Sequence, residues 1–235
     1  MATNMTPLFD IHNPEIPIVG ESHSFPVRRV YCVGRNYAAH AREMGFDPDR
    51  DPPFFFCKPA SAIVYCPPGE AVACPYPVKT SNFHHEIELV VAIGSSGKDV
   101  PIAQANELIY GYGLGLDMTR RDLQISMRDI GRPWEIGKAF DNGAPLGQIY
   151  PRSTTGLIES GTIAVSVCGE TRQNSNVTHL IWSIPEIISN LSTLFELQPG
   201  DIIYTGTPDG VGHVNAGEQL IGSMQGLADI SITYG

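Results

Sequence analysis

The sequence predicts a β-rich α+β domain, and three features carry that expectation. The apolar segments are short and densely punctuated, with 24 glycines and 19 prolines in 235 residues, which suits strands and turns better than long helices. The chain lacks the repeated strand–helix alternation that builds a parallel α/β sheet. The best amphipathic helix is a single segment, "THLIWSIPEIISNLSTLF" (178–195).

In chain order, residues 1–26 are rich in Pro and polar residues and predict an N-terminal arm; 27–235 form the domain proper. "RRVYCVG" (28–34) has strand character. "NYAAHAREMG" (36–45) is built of helix formers, with Gly45 as the stop and "FDPDRDPP" as loop. "FFFC" (54–57) is short and apolar, and "YCPPGEAVACPYP" (65–77) is punctuated as strand and turn. "IELVVAIG" (87–94) is a buried strand. "IAQANELIYGYGLGLDMT" (102–119) starts helical and turns strand-like, and "TRRDLQISMRDIG" (119–131) is a polar helix. "TIAVSVCGE" (162–170) alternates as a strand. Pro185 is costly inside helix 178–195 unless it lies near the start. "GDIIYTGTPDGVG" (200–212) is a strand entering a Gly-Pro turn, and "LADISITYG" ends the chain as a strand.

A formal charge of −10 excludes a nucleic-acid surface, which needs clustered Lys and Arg. It leaves room for a small anionic substrate in a local basic pocket. Five cysteines without C-x-x-C predict neither a disulfide framework nor a zinc knuckle. The first residues lack a signal-peptide pattern, and no apolar run approaches the ~20 residues of a membrane span. The expected location is the cytoplasm, with no membrane partner.

Glu86 and Glu88 interrupt the start of an apolar strand. Residues two apart share a face, so the carboxylates lie roughly 6.6–6.8 Å apart at Cα and repel unless something positive intervenes. Three readings fit: an incidental pair at a solvated strand end, a glycosidase acid/base pair, or a hard-cation site. Glycosidase carboxylates flank the scissile bond, whereas this pair approaches from one side. Carboxylate oxygens suit Mg²⁺, Mn²⁺ or Ca²⁺, and Asp117, at the end of the apolar run "GLGL", is a candidate third ligand. His40 and Glu43, three apart on a helix, are either a solvated face or a dyad that activates water. Arg121 and Gln124 are likewise either a solvated face or a clamp for a substrate carboxylate. Lys58 and Lys138 sit in apolar runs where an unpaired charge is costly, so each implies a nearby anion. Of the two histidines in "NFHHEIEL", only His84 has the carboxylates' parity. "GYGLGL" and "GSSGKD" fail as nucleotide-binding loops.

Taken in order, "YCVGRNYAAHAREMG", "FFFCKP", "NFHHEIEL", "GLDMTRRDLQ", "GRPWEIGKAFD" and "GDIIYTGTPDGVG" resemble the fumarylacetoacetate hydrolase family from about Arg28 onward. The resemblance implies that family's mixed-sheet β-roll with a few helices, a homodimer, and a divalent cation, Mg²⁺ first with Mn²⁺ or Ca²⁺ as alternatives. It implies Glu86, Glu88 and Asp117 as metal ligands, and His40, Glu43 and Lys138 as catalytic groups. Arg35, Lys58, Arg121, Gln124 and Thr207 are its implied substrate contacts. The implied activity is C–C bond hydrolysis of a 1,3-diketo acid, and the motifs lie nearest the members that cleave fumarylpyruvate in gentisate breakdown. Acylpyruvate hydrolysis, oxaloacetate decarboxylation and unsaturated-diacid isomerisation would use the same metal–enolate site. A domain that holds a metal without catalysis is the alternative of another class.

Overall fold

The computed structural model describes residues 8–43 and 51–235. Its centre is the strand Ile87–Ile93, buried along its whole length. The run does not alternate because both of its faces are covered. Ile87, Leu89, Val91 and Ile93 enter the larger core, while Val90 and Ala92 enter a smaller one with Cys32, Ala144, Leu146 and Tyr204. Glu88 has the parity of Val90, so its carboxylate lies at the end of the smaller core.

Ile87–Ile93 pairs antiparallel with Ile109–Leu116 on one side and Asp201–Tyr204 on the other. Beyond Asp201–Tyr204 come Arg29–Gly34, parallel, and Phe54–Lys58, antiparallel. Beyond Ile109–Leu116 come Ala144–Leu146 and Ile63–Tyr65, with Tyr150–Pro151 also pairing on that strand. A second sheet has the order Glu170–Asn176, Thr162–Val167, Gln219–Met224, Leu227–Tyr234, Ala71–Cys74. Its apolar face, including Ile163, Val165, Leu220, Ile230 and Ile232, closes the larger core. A small sheet joins Thr119–Arg120, Phe83–His85 and Gly212–His213. The β-rich, mixed-sheet α+β expectation holds.

The glycines of "GYGLGL" serve packing. A Cβ at Gly115 would lie 2.7 Å from the Tyr204 ring, so only glycine lets that tyrosine cross the strand. Tyr112, Leu114 and Leu116, on the other face, fill the larger core.

The C-terminal helix is shorter than its pattern suggested, running Ile184–Leu194 after a 3₁₀ turn at Val177–His179. Glu186 accepts the Ser183 backbone N–H at 2.9 Å, and Pro185 sits in the first turn, where its missing N–H costs nothing. The strand Glu170–Asn176 had no apolar signature because it is an edge strand with one buried side chain, Gln173. In the N-terminal segment, Glu15–Pro17 and Ser24–Pro26 form a hairpin whose Ile16 and Phe25 are buried in the smaller core. Residues 1–7, the expected helix stop at Gly45 and most of the following loop lie outside the described residues. Among the described residues no helix is long and apolar enough to cross a membrane.

Candidate active site

Glu86 lies between the strands Phe83–His85 and Ile87–Ile93, and Asp117 directly follows Ile109–Leu116. The Asp117 backbone N–H donates to Glu86 O at 2.8 Å, which draws the third carboxylate to the first two. Oxygens of Glu86, Glu88 and Asp117 lie within 4.8 Å of one another, and all three residues are buried.

Three cations surround them. Lys138 Nζ donates to Glu86 Oε2 and Asp117 Oδ2, each at 2.7 Å. Lys58 Nζ lies 2.8 Å from Asp117 Oδ1, with its hydrogen bonds directed to Met118 O at 2.9 Å and Lys138 O at 2.5 Å. Arg121 pairs with Glu86 Oε1, and its Nη1 donates to Gln124 Oε1 at 2.6 Å. Burial pushes the Glu86 carboxyl up, but Lys138 and Arg121 outweigh it and hold the group well below the carboxylate range. Glu88 is pushed well above that range, first by burial and then by the Asp117 and Glu86 charges. Its carboxylate accepts the Gly206 backbone N–H at 2.7 Å.

This arrangement fits a hard cation. The donors are all carboxylate oxygens, close enough to converge on one ion. Asp117 Oδ1 is buried and accepts no hydrogen bond among the described residues, with the Lys58 ammonium 2.8 Å away as its ion-pair partner. The raised Glu88 carboxyl is the group that a dication beside it would ionise.

The helix Ala38–Glu43 carries the dyad. His40 Nδ1 meets Glu43 Oε2 at 3.1 Å, and Glu43 also accepts the Gly210 N–H at 3.1 and 3.2 Å. Burial raises the Glu43 carboxyl, while the His40 and Gly210 hydrogen bonds bring it below its ordinary value. Glu43 is thereby an ionised acceptor that fixes the imidazole and leaves Nε2 for chemistry.

A cleft open to solvent brings His40, Glu86, Glu88, Asp117 and Lys138 together with Arg35, Arg121, Gln124 and Thr207. Ten of the eleven residues singled out in the sequence, Glu43 through its bond to His40, therefore converge on one space. Lys58 does not line it. Its side chain is fully buried behind Asp117, and two carbonyls take its protons, so it steadies the floor and is not placed to touch substrate. The Thr207 hydroxyl donates to Ile87 O at 2.9 Å and accepts from Gln173 Nε2 at 2.8 Å, so it too is bound up in the scaffold.

The short helix Glu135–Lys138 presents Lys138 by packing directly on Arg121–Asp129. A Cβ at Gly137 would lie 2.7 Å from the Gln124 backbone N. His84 shares the carboxylates' side, as its parity required. It faces Arg121 Nε at 3.4 Å and Asn82 Oδ1 at 2.8 Å. Burial and the Arg121 charge lower its pKa to about 4, so it is a neutral support for Arg121.

Two buried amides were missed by sequence reasoning. Gln173 Oε1 accepts the Ile87 N–H and contacts His85 Nδ1, both at 3.0 Å, while its Nε2 holds Thr207 Oγ1 and Pro208 O. Asn36 Nδ2 donates to Thr205 O at 2.8 Å and Trp182 O at 3.0 Å. Together they fix the Gly-Thr-Pro turn over the carboxylate pair. The only signal for Asn36 was its place beside Arg35 in a quoted motif; Gln173 gave none.

The family described as fumarylacetoacetate (FAA) hydrolase C-terminal matches residues 29–233. A fumarylpyruvate hydrolase of a Ralstonia species is 53% identical over 182 residues, 77% of this chain and 92% of that protein. The oxaloacetate tautomerase YcgM of Escherichia coli is 39% identical over 203 residues, 86% of this chain and 90% of that protein. The crystal structure of fumarylpyruvate hydrolase from Pseudomonas aeruginosa, in complex with Mn²⁺ and pyruvate, superposes with a TM-score of 0.95. It is 56% identical, and the match covers 97% of this chain and 99% of that one.

Proposed function

Because the chain belongs to the fumarylacetoacetate hydrolase family, we propose that it is a divalent-metal-dependent hydrolase that splits fumarylpyruvate into fumarate and pyruvate. The observation that carries this reading is the His40–Glu43 pair opening onto the same cleft as the three carboxylates. That pairing puts a general base beside a site for the 2-oxo acid. The Ralstonia and Pseudomonas relatives support the choice of substrate.

Glu86, Glu88 and Asp117 would hold the cation, with Mg²⁺ our first choice and Mn²⁺ or Ca²⁺ compatible with the same oxygen donors. When bound, it would supply Lewis acidity toward the oxygens of the 2-oxo-carboxylate end. His40 Nε2 takes a proton from water while Glu43 stabilises the imidazolium. Hydroxide adds to the carbonyl carbon of the fumaryl group. The C–C bond then breaks, fumarate leaves with the new oxygen, and the bonding pair remains as the enolate of pyruvate. Protonation of the enolate carbon completes pyruvate, and His40 carries the proton abstracted from water. Lys138 adds positive charge where the enolate oxygen develops. Arg121 and Gln124 orient the 2-oxo acid end.

A tautomerase of oxaloacetate is the second reading, favoured by the YcgM relationship, and decarboxylation of oxaloacetate would use the same site. Steady-state assays of fumarylpyruvate, acetylpyruvate and oxaloacetate, each with Mg²⁺ or chelator, separate the two. We expect metal-dependent release of fumarate, and turnover of oxaloacetate alone would replace the hydrolase reading. Metal binding with no turnover of any 2-oxo acid would favour a non-catalytic domain. We place the enzyme in the cytoplasm, in gentisate-type aromatic breakdown, as a homodimer. The five free cysteines support a reducing compartment.

A further inference from the structure

The cleft has positive charge at both ends and an aromatic wall between them. Lys138 Nζ, at the floor, lies 4.9 Å from the Phe56 ring centroid. Phe56 meets Trp134 at 5.9 Å, Trp134 meets Phe54 edge-on at 5.3 Å, and the Arg35 guanidinium lies 5.3 Å from Phe54. These contacts run unbroken from floor to rim. Phe54 and Phe56, two apart on one strand, share its face.

The helix Arg121–Asp129 forms another side of the same space. Arg121, Gln124 and Arg128 lie at i, i+3 and i+7, on one helical face, and all three line the cleft. A rise of 1.5 Å per residue sets Arg128 about 10 Å beyond Arg121. Arg121 is anchored at Glu86; Arg128 reaches the rim, where its charge acts on Arg35.

We infer that Arg128, with Arg35, receives the distal carboxylate of the acyl chain and so selects acylpyruvates that end in a carboxylate. The inference rests on the hydrolase reading above and adds a residue to it. An extended fumarylpyruvate spans roughly 7 Å between its terminal carbons, and a contact of about 3 Å at either end asks for cations roughly 13 Å apart, which side chains as long as arginine can reach from backbone positions about 10 Å apart. Its planar conjugated chain suits a slot walled by Phe54, Phe56 and Trp134. Arg128 is held toward Asp129 Oδ1, by Nε at 2.9 Å and Nη2 at 2.8 Å, through side chains 32% and 57% exposed. A pair so exposed contributes little by itself. Arg35 occupies the left-handed region at φ 56°, unfavourable for a non-glycine residue and the kind of local strain that gathers at binding sites.

The test compares kcat/KM for fumarylpyruvate and acetylpyruvate in the Mg²⁺-loaded full chain, for wild type, Arg128→Met and Arg128→Lys. In Arg128→Met the fumaryl-over-acetyl ratio should fall roughly 10- to 100-fold, mainly through KM, as expected for losing a charge-assisted hydrogen bond. Arg128→Lys should restore part of it. Product inhibition by fumarate should weaken by a similar factor in Arg128→Met, with that by pyruvate unmoved. A ratio unchanged in Arg128→Met overturns the inference, even if both activities drop together. If the wild type cleaves neither acylpyruvate, the hydrolase reading itself has failed, and that is visible before any variant is measured.

Discussion

His40 acts through one ring nitrogen, because the other is committed to Glu43 at 3.1 Å. Removing the imidazole removes the base but leaves the carboxylates and Lys138 in place. His40→Ala should therefore lower kcat by roughly 10²–10⁴ with KM little changed, in a steady-state assay at saturating metal. An unaltered kcat would move the base elsewhere. Glu86→Ala removes one ligand oxygen and the partner of both Arg121 and Lys138. Metal-dependent turnover should vanish, and metal-independent activity at the wild-type rate would refute the site. Glu86 was legible in the sequence because a charge in an apolar run demands a partner, and His40 through its helical spacing to Glu43 together with the family resemblance. Gln173 and Asn36 were not, because a neutral amide in a polar stretch sends no such signal. Their importance appears only once Ile87, Thr205 and Thr207 are seen to depend on them. Lys58 shows the converse: its charge was legible, but its burial behind Asp117 was not.

Elements set the distances between these side chains. Gly137 lets the helix Glu135–Lys138 rest directly on the Gln124 backbone, where a Cβ would lie 2.7 Å from N and 2.8 Å from Cα. Backbone cannot yield as a side-chain tip can. Gly137→Ala must therefore shift the short helix and carry Lys138 off Glu86 and Asp117. The expected result is a loss of about 10²-fold in kcat/KM with a stability cost of only about 1–3 kcal/mol, read from kinetics and thermal melts of the same preparation. A melt lowered with kcat/KM intact would show that Lys138 needs no such placement. The elements themselves were legible where one rule decided them. The run Ile87–Ile93 announced burial on both faces, and "NYAAHAREMG" announced a helix. The start of Ile184–Leu194 was misplaced because the apolar pattern extends upstream of Ser183, while capping and Pro185 decide where helical hydrogen bonding begins.

At the scale of the molecule, the carboxylates tie together parts of the chain far apart in sequence. Glu88 on the central strand accepts from Gly206, beyond the neighbouring strand, and Asp117 meets lysines from an edge strand and a surface helix. Glu88 is the weak member, since burial and the other two carboxylates disfavour its charge. A dication bound there removes that repulsion in the folded state, and the unfolded chain has no assembled site, so metal binding is linked to folding. At a free Mg²⁺ concentration near one hundred times Kd the gain is about 2.7 kcal/mol. For a chain of this size that corresponds to a rise in Tm of roughly 5–11 °C over the protein in chelator. Glu88→Gln keeps the volume and removes the charge, so it should abolish the metal-induced rise. It should cost the metal-free protein little, because a neutral side chain is what that position prefers without an ion. Calorimetry of both proteins, with Mg²⁺ and with chelator, makes the comparison. Equal Tm in the wild type under both conditions would mean that the three carboxylates are held by Lys58, Lys138 and Arg121 alone, and the cation would lose its place in the reaction.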